Sequence, residues 1–185
     1  DTQGGKTDWL GFDDGTRALP SSYTRKAEFD ILSPAEKTAI GKQMRNAWTA
    51  EETSVPVNVA LQINGGFTGK LFGKTVGGTL GITYNKSNRF LKMVNRSNAL
   101  SGSTFSTNYD FNDDRYVQDV TVGALGSFSM QINPLNKISI KSILNINSPN
   151  AVTRRSGPDY NRSEQIMATE LSFKQNTFFT VQVNG

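Results

Sequence analysis

The stretch Tyr116–Asn147, YVQDVTVGALGSFSMQINPLNKISIKSILNIN, alternates along both of its arms. In the first arm Tyr116, Val120, Val122, Ala124, Gly126, Phe128, Met130 and Ile132 share one parity. Asp119, Thr121, Gly123, Ser127, Ser129 and Gln131 occupy the other, with Val117 and Leu125 as exceptions. After Asn133-Pro134-Leu135-Asn136 the second arm repeats the pattern, with Ile138, Ile140, Leu144 and Ile146 set against Lys137, Ser139, Lys141 and Asn145. A period of two puts alternate side chains on opposite faces of a sheet, so this is a hairpin with one apolar face. Its arms exceed the ~5–6 residues of an ordinary strand. They are long enough for the ~9–11 tilted residues with which a β-barrel strand crosses a bilayer.

Working outward on the N-terminal side, KTVGGTLGITYN (74–85) alternates as well, with Val76, Leu80, Ile82 and Tyr84 on one side. It extends toward Arg89-Phe90-Leu91. Before it, Val55, Val57, Val59, Leu61 and Ile63 share a parity, and Asn64-Gly65-Gly66 opens an expected connection across 64–73. Ser33-Pro34-Ala35-Glu36 is a capping box with proline at the first helical position, predicting a helix over roughly 34–48. Residues 1–32 hold no sustained period and read as loop, with Trp9, Leu10 and Phe12 as anchors onto a sheet and Asp13-Asp14-Gly15 as a turn. C-terminal to the hairpin, a strand is expected over about 164–174. A tight connection at Gln175-Asn176-Thr177 then leads to a last strand through Phe179, Val181 and Val183.

The expected architecture is all-β: an antiparallel up-and-down meander of about six strands, a partial outer-membrane β-barrel, with one short helix near 34–48. Residues 1–54 form an external loop carrying the helix, and 55–185 hold the incomplete set of strands. Polar stretches 95–114 and 148–163 read as long loops, against shorter connections at 64–73, 133–136 and 175–177. Alternating short turns and long loops are the habit of an outer-membrane barrel. Such barrels start at eight strands, and an open sheet leaves unsatisfied edges in a bilayer, so the chain is expected to be a piece of a larger protein. Its start at Asp1 and its stop within FFTVQVNG agree with that expectation.

Composition removes several classes of chemistry. The 185 residues include no cysteine and no histidine, which excludes disulfides, thiolate sites and every histidine-dependent acid–base arrangement. Asp113-Asp114 are sequence neighbours and point to opposite faces of a strand, a poor geometry for paired-carboxylate catalysis. No enzyme activity and no cofactor are expected. Asp110-x-Asn112-x-Asp114 has the oxygen spacing that opens a calcium loop. Arg115 stands where glycine is needed and Thr121 where a bidentate Glu is needed, so no metal is expected. The net charge of +4 comes from scattered Lys and Arg without a basic cluster, giving no footprint for nucleic acid. No run approaches the ~18 apolar residues of a membrane helix. Trp9, Tyr109 and Tyr160 are candidates for stacking on a substrate in external loops, set against the plainer reading as loop anchors or interfacial aromatics. Arg154-Arg155 could face an anion, set against a solvated loop.

Particular residues also carry a resemblance. WLGFDDGTRALP (9–20), LSPAEKTAIGKQMRNAW (32–48), KLFGKTVGGTLGITYN (70–85), the 109–147 hairpin and the RRSG loop before ELSF (170–173) resemble, in this order, SusC-like TonB-dependent outer-membrane receptors of Bacteroidetes. The resemblance implies a barrel of about 22 strands around a plug. It implies active uptake of a glycan, oligosaccharide or peptide in the bacterial outer membrane, powered through TonB and shared with a SusD-like surface lipoprotein. The chain would be the early barrel, contacting lipid, plug and the remaining strands. The alternative from the residues alone is a soluble all-β adhesin or glycan-binding module. The two differ in one feature: a barrel carries its apolar band at one height across all neighbouring strands, and a sandwich need not.

Overall fold

A computed structural model describes residues 4–50 and 52–185; residues 1–3 and 51 of the expected N-terminal loop fall outside them. The strands are β1 (Val59–Leu71), β2 (Lys74–Ser101), β3 (Thr104–Asn133), β4 (Asn136–Asp159), β5 (Glu164–Phe173) and β6 (Asn176–Asn184). They form one open antiparallel sheet ordered β1-β2-β3-β4-β5, with β6 also against β4. The central hairpin pairs as its alternation requires, Val122 opposite Ile146, Ala124 opposite Leu144 and Phe128 opposite Ile140. The off-parity residues find each other: Leu125 lies opposite Ile143, and Val117 opposite Ala151. The meander and the open all-β sheet stand as read from the sequence.

Several details differ. The chain does not turn at Asn64-Gly65-Gly66; β1 continues in register with β2, Leu71 opposite Lys74, and reverses at Phe72-Gly73. Both turn residues have positive φ, 53° and 74°, as the twist-matched two-residue hairpin demands. The polar stretch 95–114 is not a loop. β2 and β3 run on through it to a tip at Gly102-Ser103, with one register shift at Ser97/Asn98. β4 likewise carries 148–159 as strand. The expected alternation of short turns and long loops is therefore absent from the sheet, whose reversals are tight. β2 and β3, of 28 and 30 residues, far exceed the bilayer-crossing length.

The expected turn at Gln175-Asn176-Thr177 is not a reversal either. β5 and β6 run in the same direction along the same edge of β4 and hold one register, Asn150 opposite Phe173 and Asn147 opposite Asn176. The interruption sits opposite Pro149, whose carbonyl accepts from the Lys174 N–H at 3.1 Å but which has no N–H to return. β5 and β6 are one edge strand broken by one missing donor.

The helix caps as read, with Ser33 and Glu36 closing the box, but it ends at Gly41 rather than near 48. Only Ile40 of this helix is buried, so packing does not extend it. A second, unforeseen helix, α1, spans Lys26–Asp30 and precedes α2 (Pro34–Gly41), and a 3₁₀ turn covers Asp8–Leu10.

Candidate functional site

Following the cross-strand register sorts every side chain onto one of two faces. On the first, Leu61, Tyr84, Val122 and Ile146 lie in one row across β1–β4. The next row holds Ile63, Ile82, Ala124, Leu144 and, on β6, Phe179. Gly65, Leu80, Gly126, Ser142 and Val181 follow, then Phe67, Gly78, Phe128, Ile140 and Val183, then Gly69, Val76, Met130 and Ile138. Lys86 and Ser148 bound the band on one side; Lys74 and Asn136 bound it on the other. From Leu61 to Gly69 the band measures roughly 26 Å along a strand at ~3.3 Å per residue. Ile63 is 73% exposed, Leu80 58% and Val183 69%, so the middle of the band is bare, while Ile146 in its first row and Val76 in its last are buried. The gap above Gly78 is filled by the Phe67 ring, 2.6 Å from where a Cβ would stand.

At the same height the opposite face is small and polar: Gln62, Asn64, Thr79, Thr83, Ser127, Ser129, Asn145 and Lys141. A 240 Å³ hollow lies there, floored by the Leu125–Ile143 pair and edged by Thr79, Ser127, Lys141, Thr180 and Gln182.

Beyond Lys86 the first face is covered by the N-terminal segment. The Tyr84 hydroxyl donates to the Trp9 carbonyl at 2.8 Å, and the two rings meet at 6.4 Å. The Ser148 hydroxyl donates to the Gly11 carbonyl at 2.5 Å, buried. The Asp13 N–H donates to the Gln175 side-chain oxygen, and Arg17 lies 3.9 Å above the Phe173 ring while paired with Asp8 and Asp13. These hydrogen bonds, led by that to Asp8, raise the Arg17 pKa. Val120, Ile146 and Val152 are buried by this layer and the neighbouring strands. The segment's edge coincides with the upper limit of the bare band.

Further along, Ala50 and residues 52–56 border, over β2–β4, a cleft of about 550 Å³ whose lining includes Asn88, Phe90, Tyr116, Gln118, Asn150, Val152 and Arg154. On the polar face at this level Arg155 clasps Asp113 with two bonds of 2.8 and 2.7 Å. Hydrogen bonding from Arg155 holds the Asp113 carboxyl below its ordinary range. The Phe111 ring lies 5.0 Å from this guanidinium and stacks on Tyr109 at 4.8 Å.

The three candidate aromatics do not converge. Trp9 anchors the N-terminal segment at the band's edge, Tyr109 stacks within the polar face of β3, and Tyr160 stands exposed after β4. The Asp110-Asn112-Asp114 spacing runs along extended β3, with Asp110 paired to Arg96 at 2.6 Å. Asp113 and Asp114 point to opposite faces, as neighbours on a strand must. Arg155 is engaged by Asp113, and Arg154 faces Glu52 at 3.9 Å. Sequence reasoning missed the Phe90–Tyr116 ring pair, 4.8 Å apart, because only the register makes those residues neighbours. Compared with known proteins, the chain matches no family model and no curated protein.

Proposed function

We propose that this chain is part of the wall of a TonB-dependent outer-membrane receptor of the SusC-like kind, whose whole protein imports a glycan, oligosaccharide or peptide. The observation that carries the reading is the band: one height, one face, five successive neighbours, with Lys86 and Ser148 beyond one end and Lys74 and Asn136 beyond the other. Tilted at 35–45°, such a band stands ~18–22 Å tall, a little under the ~25 Å lipid-facing belt of a barrel. Tyr84 at its margin fits the interfacial aromatic girdle. The small polar face opposite suits a lumen that receives a plug. The outer edges of β1 and β6 have no strand partner among the described residues, which calls for further strands of the barrel. In this reading the chain's role is structural, at the bacterial outer membrane. Its partners are lipid, the remaining barrel and plug, and, through the whole protein, TonB and a SusD-like lipoprotein. It performs no catalysis.

One observation favours a soluble all-β surface module. Trp9, Gly11, Ala50 and residues 52–56 already lie on this face above the band, as part of the second layer of a sandwich would. Circular dichroism and size exclusion of this chain with and without detergent separate the two. β structure that appears only with detergent supports the wall. A monodisperse β-rich monomer in plain buffer overturns it.

A further inference from the structure

We infer that the outer edge of β1 is a docking surface for a second copy of this chain, the two β1 strands pairing antiparallel about a twofold axis through Gly65. Nothing in this requires the band to face lipid; it needs only the direction, register and composition of β1. In a closed barrel the neighbouring strand would hold this edge instead.

β1 is exposed at all thirteen positions and carries no proline. A long edge of this kind, without blunting features, is a ready template for another strand. The chain ahead of it is tied to β2: the Asn58 side chain accepts from the Asn88 N–H at 2.7 Å, and the Pro56 carbonyl accepts from the Asn88 side chain at 3.1 Å. That leaves the edge of β1 open. The opposite edge is poorer, because β5 and β6 are only 10 and 9 residues long and are interrupted opposite Pro149. Strand direction then selects the partner. β1 and β6 are four antiparallel steps apart and run the same way. The β6 of one copy therefore meets the β1 of another antiparallel only if one band turns to the opposite face. Two β1 edges meet antiparallel with both bands on one face.

The hydrogen-bonding phase agrees. Leu71 and Lys74 flank the two-residue turn as a hydrogen-bonded pair, and such pairs alternate along the ladder. The odd residues of β1 thus commit both backbone groups to β2, while Ala60, Gln62, Asn64, Gly66, Thr68 and Lys70 point both outward. Setting Val59 against the copy's Leu71 pairs all thirteen positions and brings these six even residues against one another. Across the seam Leu61 lies beside the copy's Gly69, large against small. Ile63 lies beside its Phe67, a β-branched residue against an aromatic ring. Lys70 meets the copy's Ala60, so no like charges are opposed. The rows of the band map onto one another, that of Leu61 onto that of Gly69 and that of Ile63 onto that of Phe67. The apolar face therefore runs unbroken, at one height, through both sheets.

The chain has no cysteine, so single introduced cysteines report the register. Gly65 sits on the axis in a non-hydrogen-bonded pair, its two Cα atoms ~4.5 Å apart and within disulfide reach. A Cβ there meets nothing within 4 Å in its own sheet. Under mild oxidation Gly65→Cys should cross-link most of the folded chain into dimers, whereas Leu61→Cys, ~26 Å from its copy, should not. Analytical ultracentrifugation of the whole chain, in whichever medium folds it and with micelles in excess over chains, should show a dimer that dissociates on dilution. Asn64→Pro removes an outward N–H while sparing the ladder to β2, and should weaken the dimer about tenfold or more. Gln62→Lys combined with Thr68→Lys opposes lysines across the seam and should weaken it too. Circular dichroism checks that each variant folds. A monomer at every concentration up to millimolar overturns the inference, as does equal cross-linking at positions 65 and 61, or a dimer that both edge variants leave unchanged. A monomer that folds only with detergent removes the dimer and spares the wall. A β-rich dimer in plain buffer does the reverse.

Discussion

Leu80 stands in the middle row of the bare band, 58% exposed, and Val59 stands on the same face at the Lys86 row, 39% exposed. Replacing each by arginine puts the same charge at two heights. If the band faces hydrocarbon, Leu80→Arg lies near the midplane and costs about 2–4 kcal/mol, while Val59→Arg lies at the interface and costs about 0–1 kcal/mol. At ~1.4 kcal/mol per tenfold, the midplane variant loses roughly 30- to 700-fold in its folding equilibrium. If the face is wet, both are ordinary surface changes within about 0.5 kcal/mol. The assay is denaturant titration of the chain refolded into detergent micelles or thin-bilayer vesicles, followed by far-ultraviolet dichroism. The difference between the two variants is the quantity to read, because it cancels the loss of local packing common to both. Equal midpoints for Leu80→Arg and Val59→Arg would refute the depth argument.

Other consequences are open to measurement. Asp113→Ala leaves Arg155 beside a buried vacancy and should cost about 3 kcal/mol, the low end for breaking such a pair because Arg155 is one-third exposed; a denaturant midpoint reads it. The Asp113 pKa is depressed in the folded state, so its contribution is complete above the ordinary carboxylate pKa. It is lost as pH falls through the depressed value, and Asp113→Asn should flatten that acid limb of a stability–pH curve. Gly157 has φ 148°, and a Cβ there would stand 2.2 Å from the Asp110 carbonyl, so Gly157→Ala should destabilise by about 1–3 kcal/mol and speed amide exchange in the outer halves of β3 and β4. Ser33→Ala should cost the α2 cap about 1 kcal/mol, visible as faster exchange over residues 34–41 with the sheet undisturbed.

Legibility tracked how unequal the two faces are. The 116–147 hairpin was plain because one parity is apolar and the other is not, and its pairing follows from the turn at Pro134-Leu135. Where both faces are wet or protein-covered, as in 95–114, alternation disappears while backbone pairing continues, so a strand there reads as loop. Asn64-Gly65-Gly66 carries stronger turn chemistry than Phe72-Gly73, yet thirteen paired positions of β1 outweigh it. The capping box announced where α2 begins but nothing announced its end, since the apolar residues to Trp48 have no core to meet and Trp48 is 80% exposed. The cleft was unreadable for another reason. Phe90 and Tyr116 are separated by 25 intervening residues and become neighbours only through the β2–β3 register.

The missing donor at Pro149 has a mechanical meaning. Pulled from its Glu164 end, the edge unzips along β4 one bond at a time until Phe173, and there it reaches a place with no returning bond to transmit the load. The ladder of β6 then has to be broken afresh. The step at Lys174, held by one bond instead of two, divides the edge into two closing units, so the rim can fray and re-anneal while β6 stays paired with β4.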